Sequence, residues 1–158
     1  MPRIRSLAQD GPYGGQGGSA YNALHNEQKI QHIDAWSANY DGYNVLGALQ
    51  FVFEDGTSTG RIAGKDPAIG YIPDESFDFE DGETIESMNM YAGDGEGFCN
   101  GFEFHTNLGR DYSVGSQIGL KSPVQDLGKN GEWAGASGRD SQHGADAVMD
   151  SMVLYFKN

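Results

Sequence analysis

Phe98-Cys99-Asn100-Gly101-Phe102-Glu103-Phe104 decides the fold, because its pattern occurs twice more in the chain. Val45-Leu46-Gly47-Ala48-Leu49-Gln50-Phe51 and Val148-Met149-Asp150-Ser151-Met152-Val153-Leu154 align with it without gaps. Each stretch opens on two apolar residues, passes through a small or polar residue and a second small one, and runs on as a strand. The third positions are 47, 100 and 150, a recurrence every ~50 residues. A unit of that length cannot bury its own apolar face, so three related β units are expected to pack around one core. A three-bladed prism accommodates such a repeat better than a two-sheet sandwich.

The surrounding sequence agrees. Phe77 and Phe79 alternate with polar neighbours, and Leu49, Phe51 and Phe53 share one side of a period-two pattern. Ile85, Ser87 and Asn89 alternate less cleanly. Turn signals fall at Asp41-Gly42, Asp55-Gly56, Asp81-Gly82, Asp94-Gly95 and Asn130-Gly131. The best helical stretch, Tyr21 to Lys29, is too polar and too short to stand alone. With 24 glycines and 5 prolines in 158 residues, the chain reads as one all-β domain of short strands and tight turns.

Charge narrows the partners. Ten Lys and Arg against 23 Asp and Glu leave a formal charge of −13, which repels phosphate backbones and anionic lipid. Neither nucleic acid nor membrane insertion is expected. The single cysteine, Cys99, excludes an intrachain disulfide and reads as a buried small hydrophobe. The opening Met-Pro-Arg-Ile-Arg lacks the apolar run of a signal peptide, so a secreted and a cytoplasmic location both stay open.

Four further segments carry a resemblance. Gly11-Pro-Tyr-Gly-Gly-Gln-Gly-Gly-Ser-Ala-Tyr21 resembles the opening glycine loop of the jacalin-related lectins, and Asp81-Gly-Glu-Thr-Ile85 a strand entrance of that family. Phe104-His-Thr-Asn-Leu-Gly109 is similar to its Phe-x-Thr-Asn-x-Gly hairpin, and Met149-Asp-Ser-Met-Val-Leu-Tyr155 to its closing strand. The matches keep the family's order. The resemblance implies a β-prism I of three four-stranded Greek-key sheets with pseudo-threefold symmetry. Residues 1–10 are then a leader strand or extension, and residues 11–158 the prism. It also implies a non-catalytic sugar-binding protein without metal or cofactor.

Sugar recognition has plain chemical needs. Each hydroxyl is both donor and acceptor, and each net hydrogen bond contributes only about 0.5–1.5 kcal/mol. A carboxylate accepts from two neighbouring hydroxyls at once, and backbone N–H groups held by a rigid loop are ready donors. The family's site lies where the glycine loop meets the last loop. Carried over by position, the resemblance implies backbone donation from Gly17-Gly18, N–H groups of Ala147 and Val148, and the carboxylate of Asp150.

One departure concerns that last loop. The family reads Gly-x-x-x-Asp there, whereas Asp146 stands four residues before Asp150 and the nearest glycine is Gly144. Asp146 is therefore the alternative ligand. Asp150 is preferred because Met152, Leu154 and Phe156 set the strand register after it. The long segment from Gly138 to Asp146 favours oligosaccharides. Gly47 offers no acceptor and Asn100 reads as structural, so one site per chain is expected. The unbroken chain before the glycine loop resembles the branch that binds mannose and glucose. A lone shallow site binds weakly, so glycans are the expected partners of a homo-oligomer, a dimer in the first instance.

Competing signals are weaker. Gly15-Gln-Gly-Gly-Ser-Ala20 fits a dinucleotide pattern but lacks a following helix, and His25, His32, His105 and His143 have no ligand spacing. A glycosidase, an acidic matrix or mineral-associated protein and the targeting module of a pore-forming protein are the other classes weighed.

Overall fold

The computed structural model of the protein describes residues 7–15, 20–40, 42–93, 98–139 and 148–158. Among them there are thirteen strands, all paired antiparallel, in three sheets. The first sheet joins both ends of the chain: β1 (Ala8–Gly14) and β2 (Ala20–Leu24) flank the hairpin of β12 (Trp133–Arg139) and β13 (Ser151–Phe156) in the order β1-β13-β12-β2. The second is built on the hairpin of β3 (Ile30–Tyr40) and β4 (Tyr43–Phe53). Around it stand β5 (Ile62–Ala63) and β6 (Tyr71–Pro73) in the order β5-β4-β3-β6, and β7 (Phe77–Asp78) also pairs with β3. The third has β8 (Ile85–Ala92) and β9 (Cys99–Thr106) at its centre, with β10 (Asp111–Gly115) and β11 (Leu120–Pro123) outside, in the order β10-β9-β8-β11.

Each sheet therefore has a central hairpin flanked by outer strands, two in the first and third sheets and three in the second, and in the first those outer strands come from the opposite chain end. β1 begins at Ala8.

The repeat sits at the heart of this arrangement. Its second residues, Leu46, Cys99 and Met149, meet where the three hairpins converge: Met149 N–H donates to the Leu46 carbonyl at 3.0 Å and Cys99 N–H to the Met149 carbonyl at 3.3 Å. Its first residues, Val45, Phe98 and Val148, gather in a small apolar cluster beside them. Further along the prism, Phe51, Phe102 and Phe156 surround Trp133 with ring centroids 5.1, 5.4 and 6.3 Å away. One or more rings thus come from every sheet, and the Trp133 indole N–H donates to the Gly135 carbonyl, which satisfies the buried indole donor.

The alternation read from the sequence holds for Phe51, Phe53, Phe77, Phe79, Phe102 and Phe104, all buried. It breaks in β8 for a stated reason. The register between β8 and β9 shifts between Ile85 and Ser87, so Ile85 and then Met88 and Met90 face the core while Ser87 faces out.

The segments that carried the family resemblance in the middle of the chain form a clamp. Glu83 is 0% exposed, and its carboxylate accepts from the Thr106 hydroxyl at 2.6 Å, from Arg110 Nε at 2.9 Å and from Arg110 NH2. Asn107 locks the same turn by exchanging bonds with Thr84 and Gly82. The Arg110 guanidinium and, against the cost of burial, the Thr106 hydroxyl hold the Glu83 carboxyl down at about 2.

Candidate functional site

Pairing in the first sheet brings four chain points into one row. Gly14 pairs with Ser151, Ser151 with Arg139 and Arg139 with Ala20. The glycine loop leaves the sheet after Gly14 and returns at Ala20, while the last loop leaves after Arg139 and returns at Ser151. Both loops consequently spring from one level of one sheet, which is why segments more than a hundred residues apart in sequence become neighbours.

Asp150 lies at the base between them. Its carbonyl accepts from Gly15 N–H at 2.9 Å and its N–H donates to the Arg139 carbonyl at 2.9 Å. The Tyr21 hydroxyl donates to the Ser151 carbonyl at 2.8 Å, and Arg139 N–H donates to Ser151 Oγ at 3.1 Å. Gly14 is required here. Its φ is +115°, and a Cβ at that position would lie 2.0 Å from the Asp150 carbonyl oxygen.

Of the residues expected in the site, Val148 and Asp150 are described; Gly17, Gly18, Asp146 and Ala147 lie outside the described residues. Asp150 is 1% exposed and Val148 is buried in the apolar cluster with Ala38 and Val45. Sequence reasoning missed Tyr21, which ties the start of β2 to β13. Its only signal was its position three residues after Gly18, at the end of the glycine-rich run.

The third sheet repeats the same frame. Gly115 pairs with Gly101, Gly101 with Tyr91 and Tyr91 with Lys121. Ser116 N–H donates to the Asn100 carbonyl at 2.8 Å, the counterpart of the bond between Gly15 and Asp150. Asn100 is 6% exposed and its side-chain amide donates to the Ile118 carbonyl at 2.9 Å, as its structural reading anticipates. Burial pushes the Cys99 thiol up to about 12, in keeping with a small hydrophobe.

A recess of about 400 Å³ lies on the outer face of the third sheet between Asn89, Glu103, His105 and Asp111. Its polar groups are engaged with one another: Glu103 accepts from Asn89 and Gln117, and His105 shares a 2.7 Å bond with Asp111. His25 and His32 likewise pair with surface carboxylates. Among the described residues no group of three or more His, Cys, Asp or Glu converges to hold a metal ion.

A family model described as the Jacalin-like lectin domain matches residues 10–148. No curated protein matches the chain. Solved structures share the β-prism I fold. A lamprey immune protein is 23% identical with a TM-score of 0.72, over 99% of this chain and 46% of its own. The chain thus spans just under half the length of that protein. A mannose-binding jacalin-related lectin from Ananas comosus is 21% identical with a TM-score of 0.70, over 96% of this chain and 99% of its own. A mannose-specific jacalin-related lectin from Morus nigra, in complex with mannose, is 20% identical with a TM-score of 0.70, over 100% of this chain and 99% of its own.

Proposed function

The chain belongs to the jacalin-like lectin domain family, and from that premise we propose that it is a non-catalytic lectin recognising mannose- or glucose-type glycans. The carrying observation is the shared row of Gly14, Ser151, Arg139 and Ala20, the strand ends at which the glycine loop and the last loop leave and rejoin one sheet. The mannose in the Morus nigra complex and the mannose binding of the Ananas comosus protein support this sugar class.

In this reading the sugar lies over the two loops. Backbone N–H groups of Gly17, Gly18, Ala147 and Val148 donate to its hydroxyls, and a carboxylate accepts from two of them. The 1% exposure of Asp150 favours Asp146 as that carboxylate. Asp150 then acts as a positioning residue, its backbone bridging Gly15 and Arg139. The length of the last loop suits an oligosaccharide, and a homo-oligomer, first of all a dimer, would turn weak single contacts into avidity. A second reading, the targeting module of a larger protein, is favoured by the lamprey match, in which the prism is less than half of the chain.

A glycan array of the wild type, Asp146→Ala and Asp150→Asn tests the proposal. The expected result is binding to mannose- or glucose-terminated glycans that disappears in Asp146→Ala. Loss only in a folded Asp150→Asn variant moves the carboxylate to Asp150. A wild type that binds no glycan sinks the lectin reading.

A further inference from the structure

At the end of the prism away from the hairpin turns, the chain buries a positive charge that has no acceptor among the described residues. Lys29, just before β3, is 6% exposed. Its ammonium stands 4.5 Å from the Phe79 ring centroid, and among the described residues no oxygen accepts a hydrogen bond from it. Burial lowers its pKa, while Glu54, Glu132 and Glu83 pull it back up. An ammonium carries three donors, and leaving them unmet in the interior is costly, so a buried one without an acceptor calls for an occupant.

The room for that occupant is beside it. Lys29 lines a recess of about 110 Å³ bounded by Glu54 after β4, the turn from Glu80 to Thr84 before β8, and Glu132 before β12. All three sheets contribute to its wall. The Glu83 carboxylate is already engaged by Arg110 and Thr106, which leaves Glu54, Glu80, Asp81 and Glu132 as the rim's acceptors.

We propose that this recess is a second ligand site, taking adjacent hydroxyls of a neutral polyol or of the edge of a sugar ring. A hydroxyl oxygen accepts from the Lys29 ammonium while its proton goes to a rim carboxylate, the pairing that the recess presents. An anion meets the carboxylates of the rim. A metal cation meets the ammonium at the floor, and no trio of ligands converges there among the described residues. The volume equals that of a few waters, enough for two or three hydroxyls and too small for a whole hexose. The site is independent of the glycine-loop reading. One consequence rests on both: a single chain would hold glycans at opposite ends of the prism and could bridge them without oligomerising.

The test is a titration of the full chain with erythritol, followed by amide NMR at Gly82, Thr84 and Glu132, with Gly15 and Ser151 as reporters of the other end. Saturable shifts at the first group are expected in the wild type. Lys29→Met should weaken them about tenfold or more, as loss of a charged hydrogen bond implies. The methionine keeps the apolar stem against Phe79, and Glu132→Gln, which removes only a rim charge, should weaken them less. Absence of shifts in the wild type, equal affinity in a folded Lys29→Met, or shifts produced by calcium chloride or phosphate but not by erythritol would each overturn the proposal. Failure of glycan binding at Gly15 and Ser151 would sink the glycine-loop reading and leave this one standing.

Discussion

The first and third sheets carry the same backbone frame with different residues at its key position. In both, a glycine with positive φ ends an outer strand, and the next N–H donates to the carbonyl of the repeat's third residue. In the third sheet that residue is Asn100, whose amide is spent on Ile118, and the turn at the far end of the same hairpin is bolted by Glu83, Arg110 and Thr106. In the first sheet it is Asp150, at the row of strand ends where the two loops leave and rejoin the sheet. Repeated topology supplies the frame, and the two sheets differ in the side chain it carries at the repeat's third position.

Alanine at the two glycines should break the comparison most sharply. At Gly14 and Gly115 a Cβ would lie 2.0 and 2.2 Å from backbone oxygens of Asp150 and Asn100, and both positions have positive φ. Each substitution should cost about 3 kcal/mol in denaturant titration. Gly14→Ala should also lose glycan binding, whereas folded Gly115→Ala should keep it. Equal effects of the two on binding would mean that the frames are not functionally distinct.

The clamp should matter next, and only to stability. Glu83→Ala leaves the Thr106 hydroxyl and the Glu80 N–H without their acceptor, at a cost of about 2–3 kcal/mol, with glycan affinity unchanged. Its pH dependence has a definite sign. Because the folded carboxyl lies at about 2 against 4.5 for the ordinary group, its contribution is fully present above pH 4.5 and is lost as the pH falls towards 2. Stability measured across that window should fall more gently in Glu83→Gln than in the wild type.

Smaller effects sharpen the contrast. Asn100→Ala should cost about 1 kcal/mol through its lost bond to Ile118 and leave glycan binding unchanged, as measured by denaturation and array. Cys99, buried where the hairpins meet, should resist thiol reagents in the native protein and react only on unfolding. Labelling at the unfolding rate would confirm that this junction stays closed, and rapid labelling would refute it.

Much of this was legible in the residues. The three repeat units and their inward-facing aromatics were readable, whereas the reason for the small fourth position (Ala48, Gly101 and Ser151) emerges only from the assembled sheets: a Cβ on Gly101 would sit 2.4 Å from the Val114 carbonyl oxygen. The Asp81–Ile85 and Phe104–Gly109 segments marked the family without disclosing that their polar residues bind one another rather than a ligand. Lys29 gave no warning, since a lysine in a polar stretch looks solvated until the strands around it are placed.

The sequence by itself determined three β units, their inward-facing aromatics, the turns at Asp55-Gly56 and Asp81-Gly82, and the family, while the turn expected at Asp94-Gly95 lies outside the described residues. Those features follow from local periodicity and short motifs, in which each residue reads against its immediate neighbours. Only the tertiary structure decided that Asp150 is buried, that the two loops share a row and that an ammonium lies at the floor of a carboxylate-rimmed recess. Burial and electrostatic environment depend on which distant strands pair and in what register, and that pairing is a property of the assembled prism.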